Sequence, residues 1–142
     1  MYLPLEAPLQ EIVDSVLEDK GLRVFVKRED LIHDTISGNK WRKLYYNLQY
    51  AKEKGFSTLV TFGGAYSNHI AATAAAGNEV GFKTIGFIRG EEHSPLNPTL
   101  QYAKECGMEF RYIDRSAYRE KDAVEFHNEY LSMSQSKLSQ AS

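Results

Sequence analysis

Apolar positions along this chain fall into short runs divided by helix-like stretches, and a glycine stands at each change from one to the other. Gly55, Gly81 and Gly107 are evenly spaced, about 26 residues apart. Each ends a helical pattern and precedes a β-branched and aromatic run: FSTLVTF, FKTIGFI and MEFRYI. A glycine just past a helix supplies the left-handed conformation that closes it. The runs that follow are short enough and apolar enough to be buried strands. Helix, glycine and strand in repetition predict an α/β fold, an open parallel sheet flanked by helices. Three units that share only this punctuation favour such a sheet over a solenoid.

The pattern places strands at Leu22 to Lys27, Thr58 to Phe62, Thr84 to Ile88 and Glu109 to Ile113. Helices are expected over Asn39 to Lys54, Ser67 to Val80, Leu96 to Cys106 and Tyr118 to Leu131. In the first of these, Trp41, Leu44, Tyr45, Leu48 and Ala51 form one stripe. A proline-containing turn from Ser94 to Pro98 opens the third. The serine-rich stretch 132–142 has no apolar anchor and reads as a disordered tail.

Composition narrows the class. The chain has 142 residues, 42% hydrophobic and 25% charged, as in a soluble domain with one core. A formal net charge of -2 with mixed signs leaves no footprint for nucleic acid or an anionic membrane surface. No apolar run approaches the ~20 residues of a membrane span. The first residues lack the basic-then-apolar order of a signal peptide, and a lone Cys106 cannot form an internal disulfide. The default location is the cytoplasm.

Two segments carry candidate chemistry. Ser37-Gly38-Asn39-Lys40-Trp41-Arg42-Lys43 delivers a lysine at a helix start. A glycine there lets backbone approach a ligand, and the helix start offers N–H groups and a positive dipole end to an anion. Phe62-Gly63-Gly64-Ala65-Tyr66-Ser67-Asn68-His69 joins a strand to a helix, where parallel α/β sheets place ligands. Ser67 and Asn68 are good helix caps, and on this segment alone capping with anion binding is favoured over catalysis. The run Ala71 to Ala76, almost bare of bulk, permits close helix packing.

Other chemistries lack their signatures. His33, His69, His93 and His127 do not have metal-ligand spacing, so no metal is expected. Neither GxGxxG nor GK[ST] occurs, and Ser67 is not in a GxSxG elbow. Cys106 reads as packing, and Glu91-Glu92 as a solvated loop.

Taken together, Val26-Lys27-Arg28-Glu29-Asp30-Leu31, Ser37 to Lys40 and Arg42-Lys43 resemble the cofactor-lysine segment of fold-type II pyridoxal-phosphate (PLP) enzymes, the tryptophan-synthase-β-like group. Phe62 to His69 resembles the Ser-Asn-His turn of their D-cysteine desulfhydrase and 1-aminocyclopropane-1-carboxylate deaminase branch. The likeness extends over about residues 5 to 130. It implies pyridoxal 5'-phosphate as cofactor and Lys40 as the lysine that carries it and then moves a proton. It also implies Asn68 against the cofactor ring oxygen and Lys43 near its phosphate. Ser67 would lie near the substrate carboxylate as a nucleophile in ring opening, with Asn68 and His69 beside it in the substrate site. The implied substrate is a small amino acid, D-cysteine or aminocyclopropane carboxylate, and the implied assembly a homodimer.

Family enzymes are much longer, and their glycine-rich phosphate loop lies beyond the region matched. The chain is therefore expected to be a truncated form of that fold. Residues 1–45 would belong to the lobe carrying the cofactor lysine and 46–131 to the small α/β lobe. The alternatives are a non-catalytic anion-binding module and an inactive remnant.

Overall fold

The computed structural model of the chain describes residues 6–33, 36, 39–120 and 122, without the side chain of Asn39. Three strands form the main sheet: β3 (Thr58–Gly64), β4 (Lys83–Arg89) and β5 (Glu109–Ile113). They lie in the order β3-β4-β5 and all run parallel, as expected. Phe62 is the neighbour of Phe87, and Ile85 of Glu109. A second, two-stranded sheet pairs β1 (Leu9–Ile12) with β2 (Val24–Lys27) in antiparallel register, Leu9 opposite Lys27.

Helix α2 (Asn39–Glu53) precedes β3, α3 (Asn68–Val80) links β3 to β4, and α4 (Pro98–Glu105) links β4 to β5. Short helices α1 (Ser15–Asp19) and α5 (Arg115–Arg119) and a 3-10 turn at Glu29–Leu31 complete the chain. Gly55, Gly81 and Gly107 have φ of 73°, 78° and 86°, so each supplies the left-handed residue that ends a helix.

Helix α3 is the centre of the packing because its side chains are small. Residues 72–77 are all buried. Ala72, Ala75 and Ala76 face Ile32, Ile36, Trp41, Leu44 and Leu48. Ile70 and Ala74 pack with Ile88, Leu100, Ala103 and Met108. A β-carbon on Gly77 would stand 2.2 Å from Thr84 Cγ2, so the helix lies directly on β4 there. The other sheet face carries Ile85, Phe87 and Ile113, partly covered by Ala117 and Tyr118 of α5.

Several boundaries are corrected. α4 starts at Pro98 rather than Leu96, because Asn97 caps it by accepting from the Leu100 N–H at 3.0 Å. The last helix starts at Arg115 rather than Tyr118, because Asp114 accepts from the N–H groups of Ser116 and Ala117. Glu120 ends it; residues 121 and 123–131, and the expected tail 132–142, lie outside the described residues. Helix α2 spans positions 45 and 46, and its Trp41, Leu44 and Leu48 share one cluster; the lobe assignment itself remains an expectation. Among the described residues, no helix is long and apolar enough to cross a membrane.

Candidate functional site

Strand β3 ends in a tight turn in which the Ser67 N–H donates to the Gly64 carbonyl at 3.0 Å. Asn97 braces that turn: its Nδ2 donates to the Ala65 carbonyl at 2.9 Å while its Oδ1 holds the start of α4. A β-carbon on Gly63 would come within 2.7 Å of Ile70 Cγ1 and 2.9 Å of Ser67 Oγ. Only glycine lets the turn fold this closely onto the strand.

Ser67 stands at the N-cap of α3, but its hydroxyl makes no capping bond. The capping expectation is corrected here: the hydroxyl lies against Gly63 instead of turning to the helix N–H groups. Ser67 and His69 are half-buried and Asn68 is exposed. The His69 carbonyl accepts from the Thr73 hydroxyl at 2.8 Å, so the first turn of α3 is tied internally.

Lys40 is partly buried in the first turn of α2; Ser37 and Gly38, which precede it, lie outside the described residues. The adjacent Trp41 is fully buried between α2 and α3. His33 stacks on Trp41 with centroids 4.8 Å apart and meets Glu79 of α3 at 2.7 Å. Arg42 donates to both oxygens of Glu29 at 2.6 and 2.8 Å, and Lys27 lies 3.4 Å from the same carboxylate. These contacts connect the end of β2, the 3-10 turn and the start of α2, and they set where Lys40 stands. Lys43, one turn on, is exposed.

The two segments meet electrostatically. Burial holds the His69 imidazole below its ordinary pKa of 6.5, and the charges of Lys40 and Lys43 push it down further. The charges of Lys40 and Lys43 in α2 thus reach His69, which shares its turn with Ser67 and Asn68. A cleft of about 790 Å³ opens nearby, between Ala65, Tyr66, Arg89 and Tyr112, but neither Lys40 nor Ser67 lines it. Among the described residues, no group of three His, Cys, Asp or Glu could hold a metal ion.

The sequence alone assigns no positioning role to Glu29, His33, Glu79 or Asn97. Asn97 before Pro98 is a capping signal that could have been read. Glu29 and Arg42, or His33 and Glu79, carry no such signal, because folding alone brings them together. The assembled groups, an amine, a second cation, an uncapped hydroxyl and a helix start, suit an anionic aldehyde such as pyridoxal 5'-phosphate.

Known proteins share this arrangement of chain. A protein of Pyrococcus abyssi with the provisional name 1-aminocyclopropane-1-carboxylate deaminase is 39% identical over 112 residues, 79% of this chain and 33% of its own length. A Thermotoga maritima protein of the same provisional name is 35% identical over 122 residues, 86% of this chain and 39% of its own. A protein of Oryza sativa subsp. japonica provisionally named mitochondrial D-cysteine desulfhydrase 2 is 34% identical over 113 residues, 78% of this chain and 27% of its own. The crystal structure of an ACC deaminase homologue superposes with a TM-score of 0.69 at 32% identity, covering 94% of this chain and 40% of that one. O-ureido-L-serine synthase, at 13% identity and a TM-score of 0.60, shares the fold alone. No family model matches the chain. The chain resembles part of these enzymes and has their fold-type II architecture, and it spans about a third of the length of the curated relatives it matches.

Proposed function

We propose that this chain is the N-terminal part of a PLP-dependent enzyme of the D-cysteine desulfhydrase and 1-aminocyclopropane-1-carboxylate deaminase family, with Lys40 as the cofactor-binding lysine. The observation that carries this reading is the Ser67 turn at the start of α3, its hydroxyl uncapped and its neighbour His69 under the charge of Lys40 and Lys43. On this reading the two segments that resemble the family's motifs form one site. The whole enzyme would convert D-cysteine and water to pyruvate, sulfide and ammonia, or aminocyclopropane carboxylate and water to 2-oxobutyrate and ammonia.

Each residue then has a task its position allows. Lys40 would hold the cofactor and, as a free amine, move a proton: the α-proton of D-cysteine, or a proton at a ring carbon of aminocyclopropane carboxylate, whose α-carbon carries none. Asn68 donates to the cofactor ring oxygen. Lys43 neutralises part of the phosphate charge. Ser67, whose hydroxyl is not spent on a cap, meets the substrate carboxylate and serves as the nucleophile in ring opening. His69 is held neutral by burial and by the two lysines, so its imidazole accepts hydrogen bonds at neutral pH. When bound, PLP supplies the electron sink for charge at the α-carbon. The remaining donors for its phosphate would come from the part of the enzyme that this chain does not span. The substrate is a small amino acid, the working assembly a homodimer and the location the cytoplasm.

The test uses the full-length protein. Lys40→Ala should abolish both the visible absorbance of bound cofactor and the formation of pyruvate or 2-oxobutyrate. Lys54→Ala, on an exposed lysine beyond the end of α2 that stacks on Tyr50, should leave both near wild type. A protein that never acquires visible absorbance with PLP, or equal loss in both variants, would refute the assignment. The first result would favour a non-catalytic anion-binding module.

A further inference from the structure

The cleft at the carboxyl ends of β4 and β5 touches the Ser67 turn only through Ala65 and Tyr66, yet its walls are chemically organised. It holds about 790 Å³ and is lined by Arg89 and Arg115, by Glu91, Glu92 and His93, and by Tyr112. Two smaller cavities adjoin it. One, of about 270 Å³, shares Arg89 and Arg115 with the cleft and adds Arg119 and Tyr118, with no acid in its wall. The other, of about 290 Å³, shares Glu91, His93 and Tyr112 and has no arginine. One side of the cleft is thus cationic and the other carries the carboxylates.

The charged groups are available. Among the described residues, Arg89, Arg115, Glu91 and Glu92 form no salt bridge with one another. Arg89 lies over the Tyr118 ring at 5.4 Å, a contact that orients a guanidinium without neutralising it. Asp114, also in the wall, is spent on capping α5. A further mark is the Tyr112 hydroxyl, which is buried and has no hydrogen-bond partner. Tyr112 lines both the cleft and its acidic extension, so the residue forms part of the wall they share, with its hydroxyl closed off from solvent.

We infer that this cleft is a second binding site, for a small zwitterionic amino acid, with the carboxylate toward Arg89 and Arg115 and the ammonium toward Glu91 and Glu92. A simple anion would meet repulsion from the glutamates, and a simple cation from the arginines. A molecule carrying both charges at the two ends of a short backbone satisfies both walls. Ala65 and Tyr66 line the cleft and lead directly into the Ser67 turn, so the site lies on the approach to that turn. The assignment stands on the charges of the cleft and not on the cofactor chemistry.

The test titrates the 142-residue chain with glycine and follows backbone amide NMR shifts. Saturable shifts at Gly90, Glu92 and Asp114 are expected. Acetate and methylammonium, each with one of the two charges, should bind about tenfold more weakly or worse, the loss of one charged hydrogen bond. Arg89→Gln with Arg115→Gln should weaken glycine by at least about tenfold. Ser67→Ala should not change it, which separates this site from the proposed cofactor site. Where the arginine variant loses its folded amide dispersion, Glu92→Gln in the exposed loop decides: it should weaken glycine and tighten acetate. No saturable shift at these residues, acetate binding as well as glycine, or shifts that vanish in Ser67→Ala would overturn the inference.

Discussion

Gly77→Ala tests the closest contact in the fold. In a helix interior, alanine in place of glycine ordinarily stabilises by about 1 kcal/mol. Here the new β-carbon would stand 2.2 Å from Thr84 Cγ2. An ordinary carbon contact is ~3.5–4.0 Å, so α3 or β4 must give way by more than about 1 Å. Thr84 is 4% exposed and lies in the strand flanked by β3 and β5, so it cannot swing aside. Overpacking of that kind costs about 1–3 kcal/mol, which outweighs the propensity gain. The expected outcome is a net loss of up to about 2 kcal/mol in urea unfolding, with an unchanged m-value. Thr84→Ser removes the obstructing methyl and keeps the hydroxyl. The double variant should therefore recover most of the loss, and a double-mutant cycle gives the coupling directly. A Gly77→Ala protein more stable than wild type, or no recovery with Thr84→Ser, would refute the packing described.

Four further outcomes are expected. In an NMR titration His69 should have a folded pKa below 6.5, and Lys40→Ala or Lys43→Ala should raise it; no change in either variant would separate the two segments. Because the unfolded histidine binds its proton more readily, stability should fall as pH drops below about 6.5 and level off below the folded pKa, and His69→Gln should remove that slope. In the full-length enzyme Gly63→Ala should lower kcat by displacing Ser67, whereas Gly64→Ala, whose β-carbon meets nothing nearer than Arg89 Nη2 at 3.7 Å, should be tolerated; equal effects would contradict the turn geometry. The 142-residue chain, mixed with PLP and dialysed, should lose the cofactor and show no turnover, as measured by residual visible absorbance and by pyruvate or 2-oxobutyrate.

The parallel sheet was legible because its signals are local. Gly55, Gly81 and Gly107 each had to adopt positive φ, and the apolar runs after them had to be buried. The β1–β2 ribbon was only half legible. All eight of its residues are exposed, so no alternation of apolar and polar positions marks β1, and its pairing is fixed by a partner far along the chain. Helix boundaries moved where a side chain captured backbone N–H groups, as Asn97 and Asp114 do. At the site, Lys40 and Ser67 were visible as motifs. What positions them was not: the Glu29–Arg42 pair, the His33–Glu79 contact and the Asn97 brace span 13, 46 and 32 residues. The Ser67 hydroxyl was misjudged because a cap is a local preference, and the close approach of Gly63 overrode it.

The β1–β2 ribbon also bears on how this chain comes apart. It pairs with neither β3 nor β5, and its own ladder leaves every residue open to solvent. A two-stranded ribbon of that kind contributes little to the cooperative melting of the three-stranded unit. The chain then has two thermodynamic parts rather than one. A calorimetric transition reports the sheet packed on α3, while the ribbon opens below it, visible only as early amide exchange from Leu9 to Ile12 and Val24 to Lys27.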